Sequence, residues 1–189
     1  MKSTYFFLPL TVVLLTGCLS SRHVPTNSYT LTVLAPQAET PASFTVAIAP
    51  VDLPAYLDGR PMVKRSTESR LDISEVNVWA GGLREQFQRA LVGNLRKLIG
   101  TGNVHPRTNT ARFTVHVEVE NFELYPDGQV RLNAVWTLTE TKKDNAIRMR
   151  EEVCVRPTAT DYDGIAAAYS QAVMQFAVRV SDSVKKADN

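Results

Sequence analysis

FTVHVEVENFEL, residues 113–124, decides how this chain folds. Phe113, Val115, Val117 and Val119 alternate with Thr114, His116 and Glu118, the two-residue period of a strand with one face buried. Phe122 and Leu124 then continue on the opposite parity, so the phase change at Glu120–Asn121 predicts a β-bulge. Pro126-Asp127-Gly128 has turn chemistry. Val130, Leu132, Ala134, Trp136 and Leu138 resume the alternation, Lys142-Lys143-Asp144-Asn145 makes a second turn, and a third strand runs through Ile147, Met149, Val153 and Val155. This is a three-strand antiparallel meander.

Helices flank it in sequence. From about Tyr162 to Lys186, Ile165, Tyr169, Ala172, Val173, Phe176, Val180 and Val184 form an apolar stripe. Asp161 can cap the start of that helix, and Lys185 and Lys186 suit its end. Upstream, Leu83, Phe87, Leu91, Leu95 and Leu98 share a second helical face, which Gly100 and Gly102 stop. Trp79 precedes that helix and is expected under its first turn. Strands are expected at 28–34, 44–51, 62–65 and 70–73, with a connection at 35–43 and a polar turn at 66–69. The fold class that follows is α+β, a two-layer arrangement in which two amphipathic helices pack a mixed, mostly antiparallel sheet.

Residues 52–61 stand apart. Pro54, Gly59 and Pro61 forbid regular structure there, yet Leu53, Tyr56 and Leu57 are apolar. Prolines restrict the chain, so the loop should be stiff, and a stiff apolar loop loses little entropy on binding. Two readings stay open. Either Leu53, Pro54, Tyr56, Leu57 and Asp58 dock a partner, or Tyr56 and Leu57 fold back as cover for the core.

The N-terminus addresses the chain to a membrane. Lys2 is the one charge before an 11-residue apolar run, Tyr5 to Leu15. A helix needs about 20 residues to cross a bilayer, so the run reads as an export signal. Leu15-Thr16-Gly17-Cys18 resembles the bacterial lipobox, which makes residues 1–17 a leader and Cys18 the acylated first residue of the mature chain. Leu19 follows it, with no Asp at the position that usually retains such proteins at the inner membrane, so the outer membrane is the expected address. Residues 18–27 then form a tether, and 28–189 a single domain. Cys154 is the other cysteine, which excludes an intrachain disulfide once Cys18 is acylated; it is expected to be sheltered.

Chemistry is harder to find. Lys and Arg number 21 against 19 Asp and Glu, with both signs interspersed, so nothing points to nucleic acid. His23, His105 and His116 lack metal-ligand spacing, and no nucleophile–base motif or phosphate-cradling loop exists. Glu118, Glu120 and Glu123 read as a solvated sheet face, and Asp161 and Asp163 as a helix cap. Gly81-Gly82 before a helix is a weak anion-site signal. No catalytic residue, metal or cofactor is expected; the sequence reads as a binding or adaptor module.

Three segments carry a family resemblance. Pro50 to Asp58 with Met62-Val63 forms a strand, a Pro-x-Tyr-Leu loop and a short strand. Trp79-Ala80, Leu83, Ala90-Leu91-Val92 and Asn94-Leu95 follow, then an Asp127-Gly128 hairpin ending at Trp136. Together they resemble the PqiC/YmbA family of transport auxiliary lipoproteins. Gly81-Gly82 departs from its pattern, in which a proline often precedes the Leu. The resemblance implies an outer-membrane lipoprotein facing the periplasm, serving an MCE-type intermembrane lipid transport system. Its partner would be a PqiB-like tunnel protein, and a homo-oligomer is compatible. The competing reading is an envelope-assembly lipoprotein that binds lipopolysaccharide or an outer-membrane barrel.

Overall fold

The computed structural model describes residues 25–100, 102, 104–106, 110–143 and 145–188. The expected leader, Cys18 and tether residues 18–24 lie outside them. In chain order the elements are β1 (Asn27–Tyr29), β2 (Val46–Ile48), β3 (Pro61–Arg65), β4 (Leu71–Trp79), α1 (Leu83–Ile99), β5 (Val104–Pro106), β6 (Phe113–Leu124), β7 (Val130–Glu140), β8 (Asn145–Val155) and α2 (Tyr162–Asp188). The fold is α+β, as the patterning predicts.

All eight strands belong to one curled, mixed sheet built around β6. On one side β6 pairs antiparallel with β7 along its whole length, and β7 pairs antiparallel with β8. On the other side β6 is shared by two short parallel neighbours, β2 at Phe113–Val115 and β3 at Leu124. The register shifts between Val119 and Asn121, where the phase change places the bulge. Both helices cover the face that carries Val115, Val117, Val119, Phe122 and Trp136. Trp79, Phe87, Phe122, Trp136, Tyr169 and Phe176 are all buried. Phe122 lies 4.5 Å from the Tyr169 ring and 5.6 Å from the Phe87 ring, centroid to centroid, so one strand residue touches both helices.

The helix ends follow simple chemistry. Asp161 accepts the Gly164 N–H at 2.8 Å and caps α2. Gly82 offers α1 no side-chain cap; instead the Leu83 N–H donates to the Gly59 carbonyl at 3.1 Å. At its other end Gly100 sits at φ 110°, and a Cβ there would come within 2.9 Å of Pro41 Cα.

Four readings need correction. The strand expected at 28–34 is regular only at Asn27–Tyr29, which pairs parallel with Asn77–Trp79. Beyond it the chain becomes a strap over the helices. The Leu31 N–H donates to Gln86 Oε1 at 3.3 Å and the Thr32 N–H to Ser170 Oγ at 3.1 Å. Asn94 Oδ1 accepts from both Leu34 and Ala35, at 2.9 and 2.8 Å. The strand expected at 70–73 runs on to Trp79, and β5 has no counterpart in the periodicity. Cys154 is exposed, because Val153 and Val155 hold the inward parity of β8 and leave Cys154 facing out beside Arg131. Finally, Glu123 is fully buried, whereas Glu118 is exposed as the sheet-face reading expects. By register Glu123 pairs with Arg131 on the side of the sheet that carries Cys154, and it is buried because Arg65 and Tyr56 close over it.

Candidate functional site

The loop over 52–61 is fixed at both ends by charge. Asp52 continues the line of β2 beside β6, with its N–H on the Val117 carbonyl at 3.0 Å and its carbonyl accepting from Val119 at 2.8 Å. Arg84, in the first turn of α1, grips Asp58 bidentately at 3.0 and 2.7 Å and reaches the Val51 carbonyl at 2.9 Å. Those hydrogen bonds hold the Asp58 carboxyl below the usual carboxylate range.

A second anchor lies opposite. The Tyr56 hydroxyl donates to Glu123 Oε2 at 2.8 Å, and Arg65 Nε donates to Glu123 Oε1 at 2.7 Å. Burial pushes the Tyr56 hydroxyl well above the ordinary tyrosine range, and the adjoining carboxylate adds to the effect. A buried carboxylate is costly unless paired and hydrogen-bonded, and here both partners are present. Tyr56 thus joins the loop to β6 and β3.

These contacts divide the predicted site residues. Leu53 and Leu57 turn inward and are buried, as cover for the core. Pro54 is half-buried, while Asp58 and Tyr56 are exposed, with Tyr56 at 37%. The loop therefore presents Pro54, Ala55, Tyr56 and Asp58 on a backbone held by Leu53, Leu57, the Asp58–Arg84 ion pair and the Tyr56–Glu123 hydrogen bond.

Next to the loop, on the solvent side of α1, lies an open groove of about 590 Å³. Val33 of the strap forms one wall, Pro50 and Pro106 the other, with Val92 between them and Arg84, Arg89 and Arg96 along its length. Gly93 lets the strap seat so close: a Cβ there would fall 2.4 Å from Val33 Cγ2.

Sequence reasoning missed Glu123 and the buried polar row Gln86 and Asn94. The signal for the row was present, since residues 86, 90 and 94 share one helical ridge with the apolar stripe. Among the described residues no cluster of His, Cys, Asp and Glu could hold a metal, and no helix is long and apolar enough to cross a membrane. His116 and Glu118 share the exposed outer face of β6, beside Thr137 of β7 and Arg148 of β8. Such an arrangement offers a rigid, charged and partly apolar surface for binding.

The fold and this loop together define a domain with a surface anchored beside an open groove. Residues 29–181 match the family described as the ABC-type transport auxiliary lipoprotein component, and the chain belongs to that family. It is 30% identical over 128 residues to the intermembrane transport lipoprotein PqiC of Escherichia coli K12, covering 66% of this chain and 68% of that one. The protein of the same description from Shigella flexneri matches equally. Among solved structures, an uncharacterized protein superposes with a TM-score of 0.74 at 20% identity, over 85% of this chain and 99% of that one. A Xanthomonas campestris protein gives 0.70 at 18% identity, over 82% and 93%. At such identities these two likenesses show the fold.

Proposed function

We propose that this chain is acylated at Cys18, held at the outer membrane facing the periplasm, and docks the tunnel of an intermembrane lipid transport system there. The tether is 18–27, ending where Asn27 enters β1, and the domain 28–189. The partner is a PqiB-like MCE protein, and the surface that meets it is the exposed part of the 52–61 loop: Pro54, Tyr56 and Asp58 with Ala55. Lipids pass through the partner, and this chain fixes the end of the conduit without covalent chemistry. The observation that carries the docking role is the double anchoring of an exposed loop, Asp58 to Arg84 and Tyr56 to Glu123. A surface immobilised before binding avoids about 0.5–1.5 kcal/mol of ordering cost per side chain.

One membrane experiment tests both parts. The wild-type chain, Cys18→Ala and Ala55→Arg are expressed beside the MCE partner, and membranes are fractionated and the chain affinity-purified. Cys18→Ala should be exported yet leave the membrane fraction, losing palmitate-analogue label. Ala55 is exposed, so Ala55→Arg should melt like wild type but no longer co-purify with the partner. Undiminished label in Cys18→Ala would overturn the anchor, and undiminished co-purification of Ala55→Arg would overturn docking by the loop.

A further inference from the structure

The α1 groove is a separate surface from the loop, and its charges are unspent. Arg84 is engaged by Asp58 and Asp52. Arg89 and Arg96 are exposed, and among the described residues their guanidinium groups meet only neutral acceptors, the Gln86 side-chain oxygen and the Val104 carbonyl. Among the described residues Glu85 is the sole carboxylate lining the groove. Two arginines with charge to spare flank an apolar strip made by Val92, Val33, Pro50 and Pro106.

Their spacing chooses the shape of the guest. Seven residues separate Arg89 from Arg96, which is close to two full turns, so both lie on one ridge about 10.5 Å apart. On a guest helix, carboxylates seven residues apart lie on one face at that same distance. On a guest strand, same-face residues lie about 6.8 or about 13.6 Å apart, a poorer match to this spacing. A helix also brings its own cover. An acyl chain laid in a groove open to solvent would leave much of its length wet and forgo about 0.8 kcal/mol for each methylene not buried. Arginine forks prefer carboxylates that they can meet in two-point geometry.

We propose that this groove docks an acidic amphipathic helix of a partner protein, with carboxylates two turns apart on Arg89 and Arg96 and an apolar residue between them on Val92. This is the helix-in-groove mode of recognition. It rests on the proposed function only for the existence of a protein partner at the membrane, and it uses different residues from the loop.

The test places the photocrosslinking residue p-benzoylphenylalanine at position 85, replacing the exposed Glu85, in the full lipidated chain in cells. A parallel chain carries the probe at Ala55. The expected result is an adduct at 85 that maps to a helical segment with acidic residues seven apart. That adduct should fall at least tenfold in an Arg89→Glu/Arg96→Glu chain whose melting is unchanged. No adduct, an adduct with phospholipid or a second copy of this chain, or an adduct indifferent to the charge reversal overturns the groove proposal. An adduct at 55 without one at 85 overturns the groove alone; the reverse overturns the loop docking alone.

Discussion

The meander and the N-terminal segment are held by opposite means. β6, β7 and β8 satisfy one another through backbone ladders of eleven registered pairs each, so the ladder needs no particular side chain to persist. The strap over 31–35 is held by side chains of other elements: Gln86 and Asn94 from α1 and Ser170 from α2. A self-paired region is robust to loss of any one polar contact. A region held from outside comes away when its holders are removed.

The difference sets an order of expected effects. Phe122 joins the meander to both helices through Phe87 and Tyr169, so Phe122→Ala should have the largest effect. Truncating a buried phenylalanine costs about 3–5 kcal/mol, a large part of a typical 5–15 kcal/mol stability. Urea unfolding followed by tryptophan fluorescence should show one cooperative transition at a much lower midpoint. A loss below about 1 kcal/mol would mean that the meander does not depend on its helical cover.

Asn94→Ala should come next, and act locally. It leaves the N–H groups of Leu34 and Ala35 without their acceptor, at a cost of about 1–3 kcal/mol for burying unpaired groups. Amide exchange in the variant should accelerate across 31–35 while β6 and β7 keep their protection. Equal loss of protection in the meander would erase the distinction between the two regions.

The same difference governs what could be read from the sequence. Alternation at Phe113–Val119, the phase change at Glu120–Asn121 and the helical stripes from Leu83 and Ile165 are local patterns, and each became the element expected. The strap left no such pattern, because its partners are 55 to 138 residues away and lie on helix faces. β5 is three residues long and acquires strand form only by pairing with β2. The candidate site was half legible. Prolines and apolar residues marked the 52–61 loop, but its inward turn at Leu53 and Leu57 and its anchors on Arg84 and Glu123 required tertiary structure. Glu123 in particular reads as a surface residue until Arg65 and Tyr56 are brought to it.

The smallest effect belongs to the outer face of the meander, at Cys154. Its side chain points away from the helices, so Cys154→Ser should change stability by no more than about 0.5 kcal/mol. Its chemistry is the finer probe. Partial burial pushes the thiol above its ordinary pKa, and the Glu152 carboxylate 3.7 Å from the sulfur adds to this by opposing a second negative charge. The thiolate is the reactive form, so a raised pKa means a smaller reactive fraction at any given pH. Alkylation of the folded chain by iodoacetamide should therefore go to completion yet run slower at neutral pH than in denaturant, with its pH–rate midpoint displaced upward. Glu152→Gln removes the nearby charge and should bring that midpoint back down and raise the neutral-pH rate. Complete protection of Cys154 in the folded state would mean that the outer sheet face is covered in solution, and the contrast between a bare self-paired sheet and a strap held from outside would have to be redrawn.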